Sequence, residues 1–271
     1  MQIKICGQEV KQPRIESGTP FFGVLWGPAG TGKTTLAATA PGKLLYYNFD
    51  TGGDQSLGNR DDIHLVDLSA QKYNVLTSFR VESDPADVRK AIAADPEIAT
   101  IVIDSLTMIN EHALPMAVAE SKNSTMKEPG QHGYAHRNRI VYEIVKNMFT
   151  VCAELKRNFI IVGHESKAEK DEITGRMFQS MLIGGELSTF FANRFSEVWY
   201  VEDVGSAKRI HTRSNPNKKP MKTRLFETTG GEEFDWKYDP RKSLADQPNW
   251  TIRGWVDQWH KNGGKKIALP K

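Results

Sequence analysis

Eight residues, Gly27-Pro28-Ala29-Gly30-Thr31-Gly32-Lys33-Thr34, satisfy the spacing G-x-x-x-x-G-K-[ST] at every fixed position. The pattern narrows the fold sharply, because it works only between a strand and a helix. Both flanks carry the right signal: Phe22–Trp26 is an apolar run, and Thr34-Thr35-Leu36-Ala37-Ala38 opens a helix predicted over Lys33–Thr39. Glycines at these positions let consecutive N–H groups turn inward as an anion nest, and the helix start adds partial positive charge. A nucleoside triphosphate suits such a cradle. Gly27, Pro28, Ala29, Gly30, Thr31 and Gly32 would wrap its phosphates and Lys33 would neutralise the β and γ groups. Thr34 would offer a hydroxyl to Mg²⁺, with Thr35 alongside. ATP and Mg²⁺ are the expected ligands.

The rest of the chain supports an α/β class. Apolar runs at 21–26, 44–49, 64–68, 99–104 and 158–163 alternate with helical stretches, as in a mainly parallel sheet flanked by crossover helices. Ile101-Val102-Ile103 and Ile160-Ile161-Val162 are continuous enough for strands buried on both faces. Ile140, Val141, Ile144, Val145, Met148, Cys152 and Leu155 recur at helical steps and predict one long amphipathic helix. A second helix is predicted over Asp84–Ala94, capped by Ser83 or Asp84 with Pro85 in its first turn. Runs at 197–202 and 208–213 predict a hairpin or adjacent antiparallel strands, and 186–195 a short helix. We expect an N-terminal extension (1–20), an ATPase core (21–229) and a short docked appendage (230–271) that buries Trp236, Trp250, Trp255 and Trp259.

Composition removes other classes. No window approaches the roughly 18 apolar residues of a membrane span, and the opening residues are too polar for a secretory signal. Two separated cysteines, Cys6 and Cys152, neither staple a fold nor make a zinc pattern, so a reducing cytoplasm is expected.

Hydrolysis would need more than the loop. Thr100-Ile101-Val102-Ile103-Asp104-Ser105 is a buried strand ending in an acid, placing Asp104 on the metal side beside Thr34. Asp50 follows the second strand at the edge where such sheets bind ligands, and it is the first candidate to activate water. Asp54 and Glu165 stand behind it, and a turn residue before Thr51-Gly52-Gly53 is the equal alternative reading of Asp50. His164 ends the fifth strand, where a polar group would sense the γ-phosphate or simply serve the fold.

Between Gly205 and Arg224 lie seven cations and no acid, in a chain whose net charge is only +3. Lys208, Arg209, Arg213, Lys218, Lys219 and Lys222 are candidates for a nucleic-acid backbone, for a neighbouring subunit's nucleotide, or for nothing beyond a solvated face. A second candidate is the polar stretch Ser121–Arg139, expected as a long loop, where Tyr134 would stack on a base beside Arg137. Glu165–Gly185, after His164, is expected as a loop that orders with ATP.

The order of parts resembles the RecA-type ATPase core. FFGVLWGPAGTGKTTLAATAP, LLYYNFDTGG, TIVIDSLT and NFIIVGHESKAEKDEITG are similar to phage-encoded, core-only RecA-like proteins of the AAA nucleotide-binding type. The resemblance covers about residues 20–225. It implies a sensor strand between the loop strand and the Asp104 strand, ATP at the carboxyl edge, and a DNA-stimulated, Mg²⁺-dependent ATPase. It also implies single-stranded DNA binding in recombination (annealing or strand pairing), a ring or filament of identical subunits, phage single-strand-binding or recombination proteins as partners, and the bacterial host cytoplasm as location. Carried over by position, Lys33, Asp50, Asp104 and His164 are the catalytic set. The family generally has Glu where Asp50 stands, which predicts slow turnover. A P-loop kinase for a small molecule and a nucleotide switch with little turnover remain the alternatives.

Overall fold

The computed structural model describes residues 18–121, 125–170, 172, 175–184, 187–229 and 231–271, with the backbone of Lys4–Ile5 and Gln8–Glu9. Cys6 and Lys122 lie outside the described residues, as do most of the N-terminal extension and parts of the 165–185 stretch. Cys152 is a buried free thiol whose pKa burial pushes up.

Eight strands form one sheet: β1 (Phe22–Gly27), β2 (Lys43–Asn48), β3 (Ile63–Asp67), β4 (Ile98–Asp104), β5 (Asn158–His164), β6 (Glu197–Asp203), β7 (Lys208–His211) and β8 (Glu233–Trp236). Their order is β8-β7-β6-β1-β5-β4-β2-β3. The six strands from β6 to β3 run parallel, whereas β7 and β8 add antiparallel at one edge. β5 lies between β1 and β4, as the resemblance implied. The α/β class and the antiparallel C-terminal strands are therefore as expected.

Alternation along each central strand divides the core into two layers. Val24, Trp26, Ile101, Ile103, Phe159 and Ile161 join the layer beneath the two long helices, α3 (Leu106–Glu120) and α4 (Gly130–Glu154). Leu25, Val102, Ile160 and Val162 face the other way, toward α1 (Lys33–Ala37) and the C-terminal helix α6 (Ile252–Lys261). Between these in sequence lie α2 (Val88–Ala94) and α5 (Leu187–Arg194).

Several sequence expectations change. The predicted Asp84–Ala94 helix is interrupted, because Ala86 and Asp87 take left-handed backbone conformations; Asp84 Oδ1 still accepts from Arg89 N at 2.6 Å and caps α2. The second half of the expected 121–139 loop is helix, since α4 already starts at Gly130. Two of its basic residues are met locally: His136 pairs with Glu120 at 2.8 Å and Arg139 with Glu143 one turn on at 2.9 Å. No expectation covered α3, which contains Pro115 and buries Leu106, Ile109, Ala113 and Met116 without a sharp apolar stripe. Within 165–185, Glu169–Lys170 pairs with Met177–Phe178 as a small hairpin. The C-terminal tail supplies β8 itself, and α6 seals the second layer with Ile252 and Trp255 fully buried.

Candidate nucleotide site

Parallel strands deliver their carboxyl ends to one edge, and the register is close: Gly27 pairs with His164 and Asn48 with Asp104. The loop after β1 turns there into α1. Gly32 sits at φ +90°, and a Cβ on it would lie 2.8 Å from Lys208 Nζ and 3.3 Å from a ring carbon of Trp236. Gly27 is constrained by close approach as well, because a Cβ would meet the Val201 carbonyl oxygen at 2.1 Å. The helix behind the loop is shorter than predicted: Thr39 N and Ala40 N bond back three residues, tightening the end into 3₁₀ geometry. One and a half turns contribute a weak dipole, so the loop amides carry most of the anion affinity.

Lys33 is buried and its ammonium donates to the carbonyls of Gly27 (3.0 Å) and Pro28. Burial lowers its pKa to about 8, although Asp104, Asp50 and Glu165 pull the other way. Thr34 Oγ1 donates to Asp104 Oδ2 at 2.7 Å, and the Tyr46 hydroxyl donates to the same oxygen at 2.6 Å. Burial raises the Asp104 pKa against those two hydrogen bonds. Its other oxygen, Oδ1, is buried without a hydrogen-bond partner. A buried carboxylate oxygen left open beside a threonine hydroxyl and a phosphate cradle fits Mg²⁺ bound through water. No group of three His, Cys, Asp or Glu forms a metal cage among the described residues, and Mg²⁺ held mainly by phosphate and water needs none.

Asp50 and His164, chosen separately from the sequence, touch: His164 Nε2 lies 3.2 Å from Asp50 Oδ2, while Ser105 Oγ donates to Asp50 Oδ1 at 2.9 Å. Burial opposes ionisation of Asp50, but these hydrogen bonds and the charges of His164 and Lys33 outweigh it and hold the carboxyl below its ordinary range. Of the reserves, Asp54 is exposed on a 3₁₀ turn. Glu165 accepts the Tyr200 hydroxyl at 2.8 Å. Loop residues including Ala29, Gly30, Thr34 and Thr35 line the same cleft of about 410 Å³ as Asp50, Asp104 and His164. Gly27, Pro28 and Thr31 belong to the loop without lining the cleft, and Thr31 Oγ1 donates to the Pro28 carbonyl at 3.0 Å.

The basic cluster separates in three dimensions. The 205–224 window contains no acid, yet neighbouring strands supply them: Arg209 pairs with Asp235 (2.9 Å) and Glu233 (3.1 Å), Arg213 with Glu232 (3.3 Å), and Lys218 with Glu202. His211 is held between Glu202 and Glu233. Lys219 lies over the Phe178 ring, and Lys222 donates to the Asn193 carbonyl. Lys208 leaves the group altogether and lines the nucleotide cleft. Tyr134 is exposed on α4 with the Arg137 guanidinium 5.1 Å from its ring centroid, and Arg137 also donates to Asn138. Sequence reasoning missed Tyr46, Ser105 and the placement of Lys208. The first two sit in apolar strand and helix-start patterns that look structural, and the third depends on strand order.

No helix among the described residues is long and apolar enough to cross a membrane. No curated protein matches the sequence. A family model described as an AAA domain matches residues 19–225, from just before β1 to beyond β7, and so spans the loop, Asp50, Asp104 and His164. On the strength of that match and of the sheet beneath it, the chain belongs to the AAA domain family of nucleotide-binding P-loop ATPases.

Proposed function

We propose that this chain is a slow, Mg²⁺-dependent ATPase whose nucleotide state controls binding of single-stranded DNA during phage recombination, with identical subunits assembling on the strand. One observation carries the coupling: a run of backbone hydrogen bonds leads from the nucleotide cleft to the basic segment. Leu182 N donates to the His164 carbonyl (2.8 Å) and Ser166 N to that of Ser180 (2.7 Å). Next in line, Gln179 N donates to Asn217 O (2.8 Å) and Lys219 N to Gln179 O (3.1 Å). In this reading a change at His164 would be passed to residues 217–219 along that hydrogen-bonded path.

The chemistry follows from the groups in the cleft. Lys33 would exchange the loop carbonyls for phosphate oxygens, while Thr34 and Asp104 would hold the metal. Mg²⁺, when bound with ATP, would offset charge developing on the bridging and γ oxygens. Asp50, ionised and pinned at both oxygens, would orient the attacking water. A carboxylate of low basicity is a poor proton acceptor, which favours slow turnover and keeps a long-lived ATP state available for DNA. The DNA partner rests on the RecA-like resemblance and on Lys219 and Lys222 at or near the far end of the path.

The test is a titration of ATP hydrolysis against single- and double-stranded DNA. We expect single strands to stimulate the rate and double strands to act weakly. In parallel, Asp50→Asn should lower turnover by about 100-fold or more while ATP binding persists. Equal rates with and without DNA, together with no ATP-dependent DNA retention, would remove the DNA half of the proposal. Phosphoryl transfer to a metabolite would replace it with a kinase.

A further inference from the structure

We propose that Lys208 is a second phosphate-binding cation of the nucleotide site, supplied by the same chain through the C-terminal edge of the sheet. The inference rests on the nucleotide reading above and extends it to a residue outside the P-loop motif. Strand polarity is the first reason. β7 runs antiparallel to β6, so its first residue, Lys208, pairs with the last residue of β6, Asp203. The start of β7 therefore lies at the carboxyl edge, where the P-loop is. Parity is the second. Ile210, two residues on and so on the same face, packs in the layer that contains Leu36 and Ala37 of α1. Lys208 thus projects to the α1 side, and its ammonium lies 2.8 Å from where a Gly32 Cβ would stand. Trp236, its cross-strand neighbour on β8, packs over the same glycine and stacks in parallel on Tyr238 with centroids 5.4 Å apart.

Charge balance is the third reason. Lys33 faces Asp104, Asp50 and Glu165, so the bare motif presents one ammonium among three carboxylates to a polyanion. Arg209, Arg213 and Lys218 are paired with acids. The Lys208 ammonium, although the residue is half-buried and lines the cleft, has no hydrogen-bond or ion-pair partner among the described residues. A half-buried ammonium aimed at an anion nest and left unpaired by the protein gains most by pairing with phosphate.

The experiment compares wild type, Lys208→Met and Lys208→Arg by calorimetric titration with ATP, ADP, pyrophosphate and adenosine. We expect Lys208→Met to weaken ATP and pyrophosphate about tenfold or more, to leave adenosine binding and the thermal midpoint unchanged, and to be largely rescued by Arg. A mixing control separates same-chain from neighbour-chain action. Lys33→Ala chains, impaired in their own site, retain Lys208. If Lys208 acts within its own chain, adding them to Lys208→Met chains restores nothing; if restoration occurs, the same-chain assignment is overturned. Equal ATP affinity of Lys208→Met and wild type overturns the proposal while leaving the nucleotide reading intact. Absence of ATP binding by wild type instead sinks the nucleotide reading itself. Loss of nucleotide-free DNA affinity with ATP binding unaltered would return Lys208 to the DNA-facing group.

Discussion

The P-loop lysine illustrates how a binding residue is held against the preference of the fold. Lys33 is buried, with its pKa lowered to about 8 by burial and only partly supported by nearby carboxylates. The sign of the linkage is definite. Between about pH 8 and the ordinary lysine value of 10.5, the unfolded chain binds the proton more tightly, so this group's cost to stability is full below pH 8 and fades as pH rises toward 10.5. Lys33→Met is therefore expected to abolish ATP binding and yet to raise stability near pH 7 by about 1–3 kcal/mol, with the two Pro28 and Gly27 carbonyls losing a donor as the offset. Urea melts at pH 7 and pH 10 check it; a stability gain that grows with pH would contradict the burial argument. Asp50 and Asp104 diverge for the same kind of reason. Hydrogen bonds from His164 and Ser105 overcome burial at the first, whereas burial prevails at the second until a cation arrives.

At the scale of elements, the antiparallel edge of the sheet does more than extend it. The start of β6 is fastened by Glu197, fully buried, which accepts from Trp199 Nε1 (3.1 Å), Thr223 Oγ1, Arg224 N (2.8 Å) and Leu225 N (3.1 Å). Each carboxylate oxygen serves two donors. Glu197→Gln replaces one acceptor by an NH₂ group that faces donors, and it should cost about 1–3 kcal/mol. Chemical denaturation measures that loss, and a neutral result would show that the 223–225 segment does not depend on the carboxylate. α6 is tied down differently. Thr251 Oγ1 accepts from Gly254 N at 3.1 Å to cap the helix, and Ile252 N donates to Thr39 Oγ1 at 2.9 Å, joining the C-terminal helix to the end of α1. The P-loop helix is thus short but braced from outside.

At the scale of the whole molecule, charge cannot be read from a window of sequence. The 205–224 segment carries seven cations, and three of them are neutralised by acids on β6, on β8 or just before β8. The DNA prediction shifts accordingly. Replacing Lys219 and Lys222 together with Gln should weaken single-strand binding similarly across sequences and lower the salt slope by about one to two contacts. Replacing Arg209 should mainly loosen the β7–β8 pairing. Filter binding across a salt series separates the two, and an unaltered slope for the double variant would remove this surface from DNA binding.

The α/β class, the strand runs to within a residue or two and the phosphate loop were legible from local pattern, because continuous apolar strands and a glycine-rich turn are properties of neighbours in the chain. The pairing of Asp50 with His164, the two hydroxyls on Asp104, the helix that begins at Gly130 within the 121–139 stretch and the arrival of Lys208 over Gly32 were decided only by the tertiary structure. Each depends on which strand lies beside which, and strand order is set by burial summed over the whole sheet rather than by any single segment.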